Sequence, residues 1–502
     1  MVESASIDLE TLTRAIGASL RGDGAPVTVT GLAYDSRRVR PGTVFFCVPG
    51  FDADGHEFAS AAVELGAVAL VVERAVELPA GLPSVPQLLV PSVREAMAPA
   101  ADAFFGHPSR ELTVAGVTGT NGKTTTAFLL FSILAAAGRR PGLLGTVESR
   151  VGGERRGVAR TTPEAIDLQE TLREMLDAGD RSCAMEASSH ASTLARLDRV
   201  RFAALVFTNL TQDHLDFHET MEAYFEAKRR PFVVRDPEGQ CPAAAVNVDD
   251  PYGRRLAGEL RSTGARLLTY GLETPADVQP DRLELGPHGA TFSADGLTLE
   301  TRLRGRFNVL NVLGAVAAGR LLGLPDEAIV RGVAHLAGVP GRFEAVEEGQ
   351  PFTVLVDYAH TPDALANVLT AAREITPGRL VCVFGCGGDR DRGKRPLMGR
   401  TAYELADTVI VTSDNPRSED AGAIIDEILA GTPTASASEV EAEPDRRAAI
   451  RRAIGTAEEG DTIVIAGKGH EHGQTFADRT VPFSDVDEAS EALRLLRTGA
   501  AS

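Results

Sequence analysis

The sequence predicts an α/β protein of three domains, the larger ones built on parallel, doubly wound sheets. Three observations lead there. The chain has 502 residues, which at roughly 150 residues per domain suggests about three domains. Short apolar runs rich in Val, Ile and Leu alternate with helix-patterned segments along most of its length, as expected for βαβ units. A glycine-rich turn, GVTGTNGKTTT (116–126), joins one such strand to a helix.

In the first block, residues 1–108, TVFFCVPG (43–50) and AVALVVE (67–73) read as strands, and EFASAAVELG (57–66) between them has helical spacing. Gly106 and Pro108 in FFGHPSREL (104–112) break structure and mark a boundary. The second block, 109–338, opens with strand LTVAGVTG (112–119), the glycine turn and a helix from Lys123 to Ala137. Strands SCAMEA (182–187) and FAALVFTN (202–209), helix TMEAYFEAKRR (220–230) and strand AAAVNVD (243–249) follow. Alternation over 267–304 predicts a small antiparallel extension, and RFNVLNVLGAVAAGRLLG (306–323) a strongly amphipathic helix. LAGVPGRFE (336–344) marks the second boundary. The third block, 339–502, carries strands FTVLVDY (352–358), RLVCVFG (379–385), DTVIVTS (407–413) and DTIVIAG (461–467) with helical patterns between them. The tail LRTGAAS is expected to be loose.

Hydrophobic residues make up 43% and charged residues 24%, which excludes a largely disordered chain. Lys plus Arg is 51 against 70 Asp plus Glu, a net charge of −19. Such a surface repels a polyanion, so broad nucleic-acid binding is not expected. The best apolar run, Ala127–Ala137, is interrupted by Ser132 and falls short of the roughly 18 residues that span a bilayer. The start, MVESASIDLE, lacks the basic and apolar regions of a signal peptide. A cytoplasmic protein is therefore expected, with no membrane insertion. Cys47, Cys183, Cys241, Cys382 and Cys386 show no Cys-x-x-Cys spacing and read as reduced structural thiols.

The glycine turn is the first candidate site. Backbone N–H groups at such a turn cradle phosphates, the helix N-terminus favours negative charge, and Lys123 can reach the outer phosphates. The hydroxyl of Thr124 or Thr125 could ligate Mg²⁺. The match to the Walker pattern is not strict, because Val117 stands where that pattern has Gly. Glu186 ends a strand, at the edge where α/β ligand sites lie. His214 and His218 have i, i+4 spacing, but no Cys or third His accompanies them as a zinc site would require.

The variant TGTNGKTTT resembles the ATP loop of the Mur ligase superfamily, whose members, folylpolyglutamate synthases included, join an amine to a carboxylate using ATP. EASSH (186–190), FTNLTQDHLDFH (207–218), EAYFEAKR (222–229), GRFNVLN (305–311), PGRFE (340–344), DYAHTPD (357–363), GCGGDRDRGKRPLMG (385–399), SDNPRSED (413–420) and AGKGHE (466–471) resemble its diaminopimelate-adding branch, in order and over nearly the whole chain. The resemblance implies a small N-terminal α/β domain that holds the UDP substrate, a central P-loop ATPase domain and a C-terminal Rossmann-like domain that holds the amino acid. It implies an ATP-dependent ligase of peptidoglycan synthesis acting, as a monomer, on small molecules: ATP, UDP-MurNAc-L-Ala-D-Glu and diaminopimelate.

Site residues follow from the same resemblance. Gly119, Thr120, Asn121, Gly122, Lys123, Thr124, Thr125, Asn308, Arg342 and Asp357 are implied for ATP. Thr124, Glu186, His214 and a carbamylated Lys228 are implied for Mg²⁺, with Lys123, Glu186, His214 and Lys228 catalytic. Carbon dioxide adds to a neutral amine, so the surroundings of Lys228 must lower its pKa. His218 and His360 receive no defined role. Tyr34, Ser36, Phe51, Asp52 and Ala53 are implied for the uridine diphosphate, and Thr161, Thr162, Ser188 and Arg196 for the muramoyl dipeptide. Leu194 stands where many relatives have Gln, and Arg160 where some have Asn.

Arg390, Asp414, Asn415, Pro416, Arg417, Gly467 and Glu471 are implied for diaminopimelate. Arg390 and Arg417 could each pair a carboxylate in bidentate geometry, and Asp414 and Glu471 could hold ammonium groups. Lysine-adding relatives usually lack the Arg of DNPR, so Arg417 favours diaminopimelate. A lysine-adding ligase, a folylpolyglutamate synthase and a catalytically silent nucleotide-binding relative are the alternatives.

Overall fold

A computed structural model describes residues 6–22, 26–50, 53–235, 239–286, 288–433 and 439–498. Phe51 and Asp52, and most of the tail, lie outside the described residues.

The central sheet positions the site. Its order is Glu154–Arg156, Ser149–Val151, Pro141–Leu144, Ser182–Glu186, Thr113–Thr118, Phe202–Phe207, Ala243–Asn247 and Leu267–Tyr270. The last six are parallel. Helices cover both faces, so these strands are continuous apolar runs rather than alternating ones. In Thr113–Thr118, Ala115 and Val117 pack into one core and Val114 into the opposite core. Thr113–Thr118 lies between Ser182–Glu186 and Phe202–Phe207, with Glu186 level with Val117 and Phe207 level with Thr118. The loops that leave these three strands therefore emerge side by side at one sheet edge, where open α/β sheets bind ligands.

Helix Lys123–Ala136 follows the glycine turn. The alternating segment divides in a way the sequence reading did not anticipate. Leu267–Tyr270 joins the central sheet in parallel, and only Pro280–Gly286, Gly289–Ala294 and Leu297–Thr301 form the small antiparallel extension. Helix Arg306–Leu321 also departs from expectation. It is not amphipathic but buried on most sides. It packs against helix Lys123–Ala136 and strand Ala243–Asn247, and its small residues permit that approach. A Cβ on Gly314 would stand 2.9 Å from the Tyr270 hydroxyl.

The N-terminal sheet is smaller: Ser19–Arg21, Gln87–Leu89, Ala67–Val72, Thr43–Phe46 and Gly31–Ala33, parallel except for the first. Segment 57–66 divides into the 3-10 turn Gly55–Phe58 and helix Ala59–Glu64. The C-terminal sheet runs Glu344–Ala345, Thr353–Asp357, Thr462–Ala466, Leu380–Phe384, Thr408–Val411 and Glu439–Ala442, again parallel except for the first. All five cysteines are free thiols. Among the described residues no helix is long and apolar enough to cross a membrane.

Candidate functional site: a phosphate loop facing a second sheet

A cleft of about 920 Å³ opens at the edge of the central sheet and is closed on the far side by the C-terminal sheet's loops. The glycine turn forms its floor. Gly119 (φ 148) and Gly122 (φ 84) adopt backbone that favours glycine, and both lack room for a side chain. A Cβ would meet the Thr208 Oγ1 at 1.9 Å in the first case and the Asn311 Oδ1 at 2.3 Å in the second. The segment after Phe207 pins the turn. The Thr120 N–H donates to the Asn209 carbonyl (2.9 Å), the Asn121 N–H to Asn209 Oδ1 (2.9 Å), and the Thr208 hydroxyl to the Asn121 carbonyl (2.6 Å).

Two lysines meet at this turn. Lys123 Nζ donates to the carbonyls of Gly119 (3.0 Å) and Thr120 (2.7 Å). Lys228, from helix Met221–Val233, donates to the same Gly119 carbonyl at 2.7 Å. Lys228 is only 1% exposed, and its Nζ lies 4.4 Å from the centre of the Tyr224 ring. Burial pushes its pKa well below the usual ammonium range, and the charge of Lys123 adds to that push. Burial also lowers the pKa of Lys123, against the opposing fields of Glu186 and Asp213.

Glu186 is buried, and its carboxylate is fixed by Thr146, accepting from the backbone N–H at 2.7 Å and from the hydroxyl at 3.1 Å. His214 sits at a positive φ (53°) with its ring beside His190 and Asp213. Burial lowers its pKa to about 4, so the ring is neutral at pH 7. His218 lies behind it, with Nε2 3.0 Å from the Ser189 hydroxyl and its ring stacked on Tyr224. That packing gives His218 a structural place.

The C-terminal sheet sends Arg342 across the cleft. Its guanidinium lies 4.5 Å over the Tyr358 ring and donates to the Thr124 hydroxyl at 3.3 Å. The buried Arg342 Nε has no hydrogen-bond partner. Asp357 accepts from the backbone N–H groups of Phe343 and Ala359, both at 2.7 Å, and so fixes the loop that carries Arg342. Asn121 Nδ2 reaches Asp363 across the cleft at 3.1 Å. His360 lines the same wall, its Nδ1 2.9 Å from the Tyr358 carbonyl.

Asn308 differs from its implied role. It does not line the cleft; it donates to the Arg304 carbonyl (2.8 Å) and accepts from Asn311 (2.9 Å). Asn311, one helical turn on, is the residue that faces the glycine turn. Thr161, Thr162, Ser188, Arg196 and Arg160 line the other end of the cleft, and Leu194 does not. The Thr162 hydroxyl ties Ser188 to the carbonyl of Glu186, and Arg196 pairs Glu164 at 2.7 Å. Tyr34, Ser36 and Ala53 are not in the cleft wall. Tyr34 instead bonds Asp167 of the central block.

Of the residues implied for diaminopimelate, Arg390 lines the cleft. Arg417 joins it at Gly387, where a Cβ would stand 2.9 Å from Arg417 Nη1 and 3.9 Å from Arg390 Cγ. Arg417 Nη1 donates to the Gly388 carbonyl (2.6 Å), leaving other guanidinium donors for a carboxylate. Asp414, Asn415 and Glu471 gather around Lys468, a residue the sequence reading passed over. Asp213, His190 and Asn311 were passed over too, though each lies inside a motif quoted above.

Among the described residues no three His, Cys, Asp or Glu side chains stand close enough to hold a metal ion. Glu186 and His214 supply two such groups. A hard cation would also need oxygen ligands from a phosphate, the Thr124 hydroxyl or a carboxylate formed on Lys228. The unprotonated tendency of Lys228 fits the last of these.

A strand, a phosphate-type turn, a C-terminal sheet whose loops fold over it and a separate N-terminal sheet define a three-part nucleotide-dependent ligase architecture. Family models match in the same order: the "Mur ligase family, catalytic domain" over residues 28–105, the "Mur ligase middle domain" over 117–319 and the "Mur ligase, glutamate ligase domain" over 341–469. The chain belongs to the Mur ligase family. It is 48% identical over 475 residues to the UDP-N-acetylmuramoyl-L-alanyl-D-glutamate–2,6-diaminopimelate ligase of Solibacter usitatus, covering 94% of each chain. The protein of that name from Streptomyces coelicolor is 44% identical, with 93% of this chain and 92% of the other covered. A solved structure of a ligase of that name superposes with a TM-score of 0.66 at 33% identity, covering 93% of this chain and 95% of the other.

Proposed function

We propose that the protein is an ATP-dependent amide ligase that adds diaminopimelate to the γ-carboxylate of the D-Glu residue of UDP-MurNAc-L-Ala-D-Glu, in peptidoglycan precursor synthesis. The observation that carries this reading is the near-full-length likeness to ligases of that name. Residues 1–108, 109–338 and 339–502 are taken as its UDP-substrate, ATP and amino-acid domains.

A carboxylate is a poor electrophile, so an oxygen must first become part of a leaving group. A γ-carboxylate oxygen attacks the γ-phosphorus of ATP, ADP leaves, and an acyl phosphate forms. The amine of diaminopimelate then attacks the carbonyl carbon and loses a proton, and inorganic phosphate departs with the former carboxylate oxygen. Little of this requires covalent help from the protein; positioning and charge neutralisation dominate. The glycine turn's N–H groups and Lys123 hold the phosphates, and Arg342 approaches the same place from the opposite sheet. Thr161, Thr162, Ser188 and Arg196 orient the dipeptide, and Arg390 and Arg417 the carboxylates of diaminopimelate. Tyr34, Ser36, Phe51, Asp52 and Ala53 are assigned to the uridine diphosphate. Mg²⁺, held by Glu186, His214, Thr124 and a carbamate on Lys228, would offset charge developing on the transferred phosphoryl group. Closing the cleft with the C-terminal loops keeps water from the acyl phosphate.

The test is phosphate release with the UDP-dipeptide, ATP and a panel of amino acids. Turnover with diaminopimelate and little with lysine is expected. Turnover that favours lysine or glutamate, or none with any of the panel, contradicts the reading.

A further inference from the structure

Lys468 lies in the loop after strand Thr462–Ala466 and is completely buried, at 0% exposure. Its Nζ donates to Asn415 Oδ1 at 3.0 Å and to Glu471 Oε2 at 3.2 Å, and stands 3.6 Å from Asp414 Oδ1. Asn415 closes the ring by donating to Glu471 Oε2 at 2.8 Å. One ammonium thus holds three side chains from two loops of the sheet edge. These three are among the polar groups that the resemblance implies for the amino-acid substrate, and the inference rests on the proposed function.

The charges do not cancel. Asp414 and Glu471 carry two negative charges and Lys468 one positive charge, a remainder of −1. Two further buried cations, Arg446 and Arg395, have carboxylate partners of their own: Asp485 holds Arg446 in a bidentate pair at 2.7 Å, and Glu419 and Glu427 hold Arg395. Lys468 and Asp414 are buried and the Glu471 side chain is 34% exposed, so the remaining negative charge stands at the open edge of the cluster, where one cation can reach and complete it. Diaminopimelate has two amines, one of which must be uncharged to attack.

We propose that Lys468 is the positioning residue of the amino-acid site. It fixes the rotamers of Asn415 and Glu471 and lowers the local charge so that a single substrate ammonium completes it. Without Lys468 the two carboxylates repel each other, and the loops lose the tie that aims them.

The test compares four forms of the full chain: wild type, Lys468→Met, Glu471→Gln and the double variant. Lys468→Met keeps the length of the side chain and removes the charge. It is expected to raise KM for diaminopimelate about thirtyfold or more, since it strips one partner from a buried, hydrogen-bonded charge pair. KM for ATP and for the UDP-dipeptide should stay near the wild-type values. The double variant Lys468→Met/Glu471→Gln removes one charge of each sign, so it keeps the local balance even if the single variant folds poorly. It should be less impaired than the product of the two single effects. A Lys468→Met enzyme with normal KM for diaminopimelate, or with all three KM values raised alike, overturns the proposal, as does a double variant whose effects simply multiply. Wild type that fails to use diaminopimelate overturns the functional reading instead, so the two failures are distinct.

Discussion

Lys228 and Lys468 are the same residue type, equally buried, at two ends of one functional region, yet they meet opposite surroundings. Lys468 has two carboxylates and an amide oxygen within 3.6 Å. Lys228 has one carbonyl oxygen, the face of a tyrosine and, nearby, the charge of Lys123. A buried ammonium is costly unless paired. Lys468 is paired and acts as a counterion. Lys228 is driven towards the neutral amine, which is the form that reacts with an electrophile such as carbon dioxide. Burial alone therefore says nothing about what a lysine does; its partners decide.

The largest expected effect breaks the comparison at its hub. Lys123→Ala removes the charge that helps neutralise Lys228 and the cation nearest the phosphates. Phosphate release should fall by about a hundredfold to a thousandfold, as for loss of one oxyanion donor, with the circular dichroism of the wild type retained. Near-normal turnover would remove Lys123 from the chemistry. Lys228→Ala should also lose most activity, about a hundredfold, because one charge-stabilising ligand disappears. Short carboxylic acids should partly restore it by filling the space with an oxygen ligand; equal inactivity with and without them counts against a carboxylate at this position.

Next comes the amino-acid end. A charge left unpaired in a buried site costs about 3–5 kcal/mol, and lysine lacks the distal carboxylate that Arg417 is proposed to read. Arg417→Ala should narrow the ratio of kcat/KM between diaminopimelate and lysine by about a hundredfold or more. An unchanged ratio assigns that carboxylate elsewhere, with Arg390 the next candidate.

The smallest effect concerns stability. Folding lowers the pKa of His218 to about 4 by burial, against about 6.5 unfolded. The unfolded chain therefore binds a proton that the folded chain refuses between those values, so stability falls as pH drops from about 6.5 towards 4. His218→Asn should flatten that part of the curve of Tm against pH. An unaltered curve would mean that His218 titrates normally.

The central strands, the glycine turn and helix Lys123–Ala136 were legible in the sequence, because parallel strands are unbroken apolar runs and glycines punctuate them. Helix Arg306–Leu321 has the sequence pattern of an amphipathic helix but is buried on most sides, because its polar positions Asn308 and Asn311 face buried neighbours rather than water. Helices Val93–Phe104 and Ala165–Asp177 have no counterpart in the sequence reading; five of the twelve residues of the first are alanine and Pro99 interrupts it, which blurs its helical pattern. Asn311 and Lys468 escaped for a different reason. Their roles arise from contacts with Gly122 and with Asp414, far away in sequence, and no local pattern carries that information.

The contrast between the two lysines is tested most directly by equilibrating the folded protein with ¹³C-labelled bicarbonate and recording its ¹³C spectrum near neutral pH. One protein-bound carbamate signal is expected in the wild type. It should persist in Lys468→Met and vanish in Lys228→Ala. A wild type without the signal, or a signal that survives in Lys228→Ala, would contradict the assignment of Lys228 as the reactive amine.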